Sequence, residues 1–388
     1  ILEELLPRVE FTGLRVAVYT LKGKLLFSWE QEPDEIKEVP EPAKAALDPK
    51  EIRTTEQLYL TGLHLEQYRH ATYSATDYYE EALRRDPSDV RNNNAMGLWL
   101  IRKGQFAKAE PYLRRAVKTL TERNPNPYDG EPLYNLGLSL KYQGKADEAY
   151  ASFYKACWNA AWQDAGYYSL AQLSAAKGNW EDALYEIDKS LLRNWHNLRG
   201  RHLKAIVLRH LGRTDEALAL IRESLTIDRF NFGCSFEEYL LTEKKEVLDD
   251  LIVRMRPEGH NYEELALDYA SAGCWEEALK VVEVACKAVT SGRTMLYYYK
   301  SWFLISSGRM RDAEMAICIA EHQPADCCFP NVLEAILALQ AVVRFAEFTP
   351  KAYYYLGNLW YDKRQYAEAI AAWEKSIEQD DTFPTVLR

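Results

Sequence analysis

Small and apolar residues recur along most of this chain at a spacing of about 34 residues. Ala149, Ala183 and Ala217 mark three successive blocks at that spacing, and each alanine follows a glycine by five positions. The apolar residues on both sides of the glycine are spaced as on one face of a helix. Each block therefore predicts two helices joined by a tight turn, in which glycine takes a positive φ. The alanines lie where the paired helices cross, because small residues let two backbones approach.

Further copies of the block carry the same marks, at Ala82, Ala109, Ala278, Ala313 and Ala369. A helix–turn–helix unit of this length resembles the tetratricopeptide repeat. The resemblance implies an all-α, right-handed solenoid of about eight or nine units over residues 53–388. In such a solenoid each unit buries its apolar face only against its neighbours.

The period is interrupted twice. The step from Ala217 to Ala278 and the step from Ala313 to Ala369 are each well over one and a half times the regular spacing. The intervening residues, about 230–260 and 322–350, have a helical pattern but lack the small-residue marks. We interpret them as irregular helical units that continue the stack and bend it locally.

Residues 1–30 alternate apolar and polar side chains. Val16 and Val18 precede a turn at Gly23, and Phe27 and Trp29 follow it. This pattern predicts a β-hairpin within residues 1–30. Residues 31–52 are acidic and proline-containing, as linkers are. Because a lone hairpin is marginally stable in water, we interpret it as the end of an upstream β domain.

A second resemblance covers roughly residues 14–220. The runs LYLTGLHLEQYRHAT, NPNPYDGEPLYNLGL and FYKACWNAAWQDAGYYSLAQL are similar to the repeat region of an uncharacterised bacterial family. In that family a β-sandwich domain, itself similar to aldose-mutarotase-like sandwiches, precedes the repeats. The resemblance implies such a domain upstream of this chain and a connection with carbohydrates.

Composition narrows the classes of function. The net charge is −10, and the 388 residues contain no block of Lys or Arg. We therefore expect no nucleic-acid partner, since neutralisation of phosphates dominates that affinity. The apolar runs are too short to span a membrane. The odd number of cysteines, seven, favours reduced thiols and a cytoplasmic location.

The chain carries none of the common motifs of catalysis or nucleotide binding. We predict no catalytic residue, no cofactor and no metal site. Cys327 and Cys328, with His322, form either a metal-binding group or a loop that happens to carry two thiols, and the loop is preferred. His202 and His210 share a helix face without a carboxylate or cysteine at ligand spacing in the sequence.

In tetratricopeptide repeats the first helix of each unit lines a concave groove. Polar residues without an expected packing role occupy these positions here: Asn94, Asn135, Gln172, Arg199 and His202. Some members of the family clamp the C-terminal carboxylate of a peptide in this groove, and Asn135 matches one clamp asparagine. Glu131 stands where a basic residue would help such a clamp. We therefore expect a polar groove for a ligand other than a chaperone tail.

Aromatic residues add a second candidate surface. Trp158 and Trp162 lie at a junction between units, where their rings either pack helix against helix or offer a flat face to a sugar or a peptide. Tyr128 and Asp129 belong to an insertion that either binds a ligand or caps the next helix. The full set of predicted ligand-binding residues is Asn94, Tyr128, Asp129, Asn135, Trp158, Trp162, Arg199 and His202.

Three functions fit these observations. The first is a non-catalytic interaction scaffold that binds a peptide or protein partner in the concave groove. The second is the repeat region of a carbohydrate-active or carbohydrate-binding protein, in which the repeats shape a sugar site on the upstream β domain. The third is a purely structural oligomerisation arm. The sequence favours the scaffold, and its lack of catalytic motifs argues against an enzyme.

Overall fold

The computed structural model describes residues 15–30, 44–68, 72–290, 292–325, 328–382 and 386. The chain divides into two compact units, Ile1–Leu47 and Asp48–Arg388. In the first unit β1 (Arg15–Tyr19) pairs antiparallel with β2 (Leu25–Glu30), so the predicted hairpin is confirmed. Its apolar side chains, including Val18 and Phe27, are exposed. Residues 1–14 of the segment predicted to hold the hairpin, and most of the predicted linker, lie outside the described residues.

The described part of the second unit holds nineteen α-helices. The first ten are α1 (Thr55–Gln67), α2 (Ala75–Arg85), α3 (Val90–Arg102), α4 (Phe106–Thr121), α5 (Glu131–Tyr142), α6 (Ala146–Ala156), α7 (Gln163–Ala176), α8 (Trp180–Arg193), α9 (Leu198–His210) and α10 (Thr214–Ile227). The remaining nine are α11 (Phe232–Thr242), α12 (Lys245–Met255), α13 (Gly259–Ser271), α14 (Trp275–Ala288), α15 (Thr294–Ser306), α16 (Met310–His322), α17 (Leu333–Phe345), α18 (Pro350–Asp362) and α19 (Tyr366–Gln379).

Consecutive helices pack as pairs, from α1 with α2 to α15 with α16, and again α18 with α19. Helix α17 has no such partner among the described helices and packs between α15 and α18. The all-α repeat architecture expected from the sequence is therefore confirmed. None of the helices in the described ranges is both long and apolar enough to cross a bilayer.

The turns inside the pairs have the predicted conformation. Six of them place a glycine at a φ between 71° and 78°, namely Gly104, Gly144, Gly178, Gly212, Gly273 and Gly308. In the last pair Arg364 takes this place with a φ of 57°. The left-handed backbone reverses the chain within a few residues, so the two helices lie side by side.

Small residues mark the helix crossings, as expected. A Cβ atom added to Gly137 of α5 would lie 2.6 Å from the ring of Phe153 in α6. In the preceding pair, one added to Gly97 would lie 2.5 Å from Leu113. The large side chain of the second helix thus occupies the space that the small residue of the first helix leaves open.

The array of pairs curves until distant pairs meet. The first helices line its inner side, where Gln172 of α7 donates a hydrogen bond of 2.7 Å to Ser271 of α13. Tyr142 of α5 donates one of 2.9 Å to Glu334 of α17. The turn at Gly104 packs against Ile336 of α17. Much of the inner surface is therefore covered by the chain's own later helices.

Candidate functional site

The predicted polar row on the inner side is only partly accessible. Asn94 and Asn135 are 8% and 3% exposed, and Asn135 Nδ2 donates a hydrogen bond of 2.9 Å to Asn94 Oδ1. Gln172 is also buried, between Lys141 and Ser271. The expectation that these residues have no packing role is thus wrong. They join neighbouring first helices, because a buried amide requires a hydrogen-bond partner.

Arg199 and His202 lie together in a cleft of about 170 Å³, which we call the Arg199 cleft. Its walls come from three helices of the inner side, α9, α11 and α13. The lining residues are Leu198, Arg199, His202, Phe230, Asn231, Phe232, Gly233, Asn261, Glu264, Leu265 and Asp268. Two of the predicted site residues therefore share one concave feature with aromatic and acidic neighbours that the sequence did not indicate.

Arg199 is the accessible member of this pair. Its side chain is 60% exposed, forms an ion pair with Glu264 and lies 3.5 Å from Asp268 Oδ1. The charge of Asp268 raises the pKa of the Arg199 guanidinium. Two carboxylates thus hold the guanidinium at the mouth of the cleft while most of its surface stays open to solvent.

His202 forms part of the cleft wall and is only 2% exposed. Its Nδ1 lies 3.7 Å from Asp268 Oδ2, and its Nε2 has no hydrogen-bond partner among the described residues. The ring packs so closely on α11 that a Cβ atom at Gly233 would lie 2.3 Å from it. His202 therefore shapes the cleft, whereas Arg199 is available for a direct contact.

The predicted aromatic surface lies at another place, beside the loop that precedes α5. Asn159 donates a hydrogen bond to the carbonyl of Tyr128, which joins the two predicted segments. Tyr128 is 95% and Trp158 58% exposed. Trp162, however, stacks on Tyr134 with ring centroids 4.9 Å apart.

Two of these residues also have structural roles. Asp129 accepts a hydrogen bond from the backbone N–H of Glu131 at 2.9 Å, at the start of α5. Lys155 Nζ lies 3.6 Å from the centre of the Trp158 ring. The stacking of Trp162 and the hydrogen bond that Asp129 accepts at the start of α5 match the alternatives in which these residues pack or support helices rather than bind a ligand. Tyr128 and Trp158 keep the exposure that a ligand contact requires.

A larger cleft of about 720 Å³ separates the start of α4 and the end of α5 from α17–α19. We call it the Trp360 cleft. Its floor includes Trp360 and Phe106, whose ring stacks on Tyr142 at 4.5 Å. Arg344 and Glu368 stand at its rim. The sequence could not predict this cleft because its two walls come from distant parts of the chain.

One group of potential metal ligands occurs among the described residues: His210, Cys274 and Glu277. The sequence gives no sign of this group, because 64 residues separate His210 from Cys274 and only the fold brings them together. The sequence also offered Cys327, Cys328 and His322 as a possible metal-binding group. Cys327 lies outside the described residues. His322 lies beside Cys318, with 3.8 Å between its Nδ1 and the Cys318 Sγ.

Residues 350–383 match the family model described as Tetratricopeptide repeat. This range contains both α18 and α19. The last helical pair is thus similar to a tetratricopeptide repeat. The length of the match equals the spacing of the earlier alanines. This finding supports the resemblance drawn from the sequence, whereas the upstream β-sandwich domain remains an expectation.

Three solved structures are similar to parts of this chain. One is a tetratricopeptide repeat protein from Parabacteroides merdae, with 20% identity over 61% of this chain and 94% of that one, at a TM-score of 0.41. Another, pilF of Pseudomonas aeruginosa, shows 19% identity over 55% and 97%, at a TM-score of 0.45. MamA protein shows 20% identity over 44% and 91%, at a TM-score of 0.39.

Proposed function

We propose that the helical unit is a non-catalytic scaffold that binds a peptide or protein segment on its inner side, with the Arg199 cleft as the anchoring point. One observation carries this proposal: a mostly exposed guanidinium, held by two carboxylates, opens onto a cleft beside Phe230. A fixed charge next to an aromatic side chain is typical of interface residues that dominate affinity.

The groups at the mouth of the cleft favour one kind of contact. The Arg199 guanidinium already pairs with Glu264 and Asp268, and Arg229 lies 5.4 Å from the centre of the Phe230 ring. Because charges of both signs meet here, we expect an uncharged segment whose backbone carbonyls accept hydrogen bonds from Arg199. Its apolar side chains would cover Phe230, which is 56% exposed. The small volume of the cleft limits the insertion to one or two side chains.

The experiment starts from the purified chain and a random peptide library displayed on phage. Peptides that survive selection are synthesised, and their dissociation constants are measured with the wild type, Arg199→Ala and Phe230→Ala. We expect each variant to bind at least about tenfold more weakly, as substitutions at interface anchors do. Arg222→Ala, on an exposed position of α10, serves as the matched control and should bind like the wild type.

Circular dichroism and melting of each variant separate binding from folding. A selected peptide that tolerates Arg199→Ala and Phe230→Ala would refute the Arg199 cleft as the anchor. If Arg344→Ala weakens that peptide instead, the binding site is the Trp360 cleft. A failure to select any peptide that binds in the micromolar range would count against the scaffold itself.

The hairpin favours a second candidate, the repeat region of a carbohydrate-related bacterial protein. The apolar side chains of Val16, Val18, Phe27 and Trp29 are all between 46% and 59% exposed. Such exposure supports the proposal that further β-structure covers them in a longer protein. A glycan array probed with the full-length protein tests this function, and an array without any bound glycan would argue against it.

The cysteines support a cytoplasmic setting for either function. Six described cysteines, Cys157, Cys234, Cys274, Cys286, Cys318 and Cys328, are free thiols. Free, mostly buried thiols are usual in a reducing compartment. Fractionation of cells that produce the full-length protein provides the test, and recovery outside the cytoplasm would contradict this setting.

A further inference from the structure

Three side chains with metal-binding atoms meet where the fifth helical pair touches a later one. His210 ends α9, Cys274 precedes α14, and Glu277 lies in the first turn of α14. The Nε2 atom of His210 is 3.3 Å from Glu277 Oε1 and 3.9 Å from Cys274 Sγ. The three ligand atoms all lie within 4.8 Å of one another.

These separations suit a tetrahedral ion. Zinc binds nitrogen, oxygen and sulfur at about 2.0–2.3 Å, which places neighbouring ligand atoms about 3.3–3.7 Å apart. The imidazole–carboxylate distance already has this value, and the Cys274 sulfur, 3.9 Å from Nε2, would have to move closer when an ion binds. A set of one thiolate, one imidazole and one carboxylate suits zinc far better than calcium or magnesium, which prefer oxygen ligands.

Neighbouring groups hold the ligands in place, as they do around metal sites. The ring of Trp180 stacks on the His210 ring at 4.0 Å and an angle of 5°, which fixes the imidazole plane. Arg209 donates hydrogen bonds to Glu277 at 2.8 Å and to Glu237 at 2.7 Å. The guanidinium therefore orients the Glu277 carboxylate and also contacts a second, fully buried acid.

The charge balance of this group favours a dication. Glu237 and Glu277 contribute two negative charges, and Arg209 compensates one of them. These three side chains therefore carry one net negative charge. A zinc ion together with the Cys274 thiolate carries one net positive charge, so the cluster with bound zinc is neutral. Binding of the ion would release the Cys274 thiol proton to the solvent, because cysteine ligates zinc as the thiolate.

We propose that His210, Cys274 and Glu277 bind a zinc ion whose fourth ligand is water. The partly exposed imidazole edge of His210 gives the ion access from solvent. Such an ion joins α9 to the turn before α14 across the intervening pair α11–α12. It would therefore strengthen a contact between helical pairs that are not neighbours in the sequence.

Cobalt and zinc titrations test this site on the whole chain, reduced and treated with chelator. We expect one equivalent of Co²⁺ to produce a thiolate-to-cobalt charge-transfer band with tetrahedral d–d absorption, and Zn²⁺ to displace it. Cys274→Ser should abolish the charge-transfer band. His210→Gln, at a more exposed position, should weaken Zn²⁺ binding at least about tenfold while its circular dichroism spectrum stays unchanged.

Two controls address other thiols. Cys286→Ser, within the same helix α14, should bind both ions like the wild type. Cys318→Ser removes the exposed thiol beside His322 and should also leave the cobalt spectrum unchanged. The proposal fails if the wild type gives no charge-transfer band, if the band survives in Cys274→Ser, or if Cys318→Ser removes it. It also fails if His210→Gln remains folded and binds Zn²⁺ with wild-type affinity.

Discussion

The side-chain amide of Gln105, at the start of α4, donates a hydrogen bond of 2.9 Å to the carboxylate of Glu368 in α19. Lys108 Nζ contacts the same carboxylate at 2.9 Å. These bonds connect the second helical pair with the last one, although 263 residues separate Gln105 from Glu368. They also close one end of the Trp360 cleft.

Reversal of the charge at Glu368 should loosen this contact. Glu368→Arg removes both bonds and places a positive charge beside Lys108, so we expect a loss of about 1 kcal/mol, in the range of partly exposed ion pairs. Hydrogen exchange should increase at residues 105–109, which α19 covers. Glu374→Arg, on an exposed position of α19, should leave both quantities unchanged. Equal exchange in the two variants would show that the contact contributes nothing to closure.

The small residues at the helix crossings should resist enlargement. Ala183 is fully buried, and Ala183→Leu should destabilise the chain by about 1–3 kcal/mol through overpacking. Ala107 is exposed, so Ala107→Leu should change stability by less than about 0.5 kcal/mol. Urea denaturation compares the two variants, and similar shifts of their midpoints would contradict the assigned register.

Gly233 should be coupled to His202. Gly233→Ala introduces a methyl group into the space of the imidazole and should cost about 1–3 kcal/mol. In a His202→Ala background the space is free, and alanine is the better helix former by about 1 kcal/mol. The same substitution should then be neutral or stabilising. A double-mutant cycle measures this coupling, and an equal cost in both backgrounds would disprove it.

The stability of the chain should fall as the pH rises through the titration of Glu263. Burial, together with the charge of Glu264, raises the pKa of Glu263 to about 7. Tyr299 of α15 and Cys328 also interact electrostatically with this carboxyl. The folded chain thus binds more protons than the unfolded one between pH about 4.5 and 7, so stability decreases over that window and the penalty is complete above it.

Glu263→Gln should remove this decrease. At pH 8 we expect the variant to be more stable than the wild type by about 1–2 kcal/mol, a value reduced for the partial exposure of the group. At pH 4.5 the two proteins should be nearly equal. Urea midpoints measured across the window provide the comparison, and parallel pH profiles would exclude the assignment.

The local architecture was predictable because its determinants lie close together in the sequence. Ala149, Ala183 and Ala217 recur every 34 residues, and this spacing alone indicated which small residues lie at the helix crossings. The positive φ of Gly178 followed from the same pattern. These features depend on steric contacts within a single block, and the next block repeats them with the same residue types.

The accessible surface was harder to predict because it depends on curvature. Asn94 and Asn135 were expected to be exposed polar residues, because no residue of their own blocks shields them from solvent. Small rotations between successive pairs accumulate until α13 and α17 meet the early helices. The sum of these rotations is not encoded at any one position, so neither the Trp360 cleft nor the cluster at His210 was visible in the sequence.

The contact between α4 and α19 changes how damage at one end of the helical unit affects the other. An open stack of repeats frays from its termini, because a terminal unit has a single neighbour. Here the final pair has two, so its loss removes most of one wall of the Trp360 cleft and exposes the residues near position 105 in the other wall. A truncation or a protease cut close to the C-terminus should therefore also destabilise α4. Local unfolding at the last pair and local unfolding of the second pair are then coupled, as they would not be in an open array.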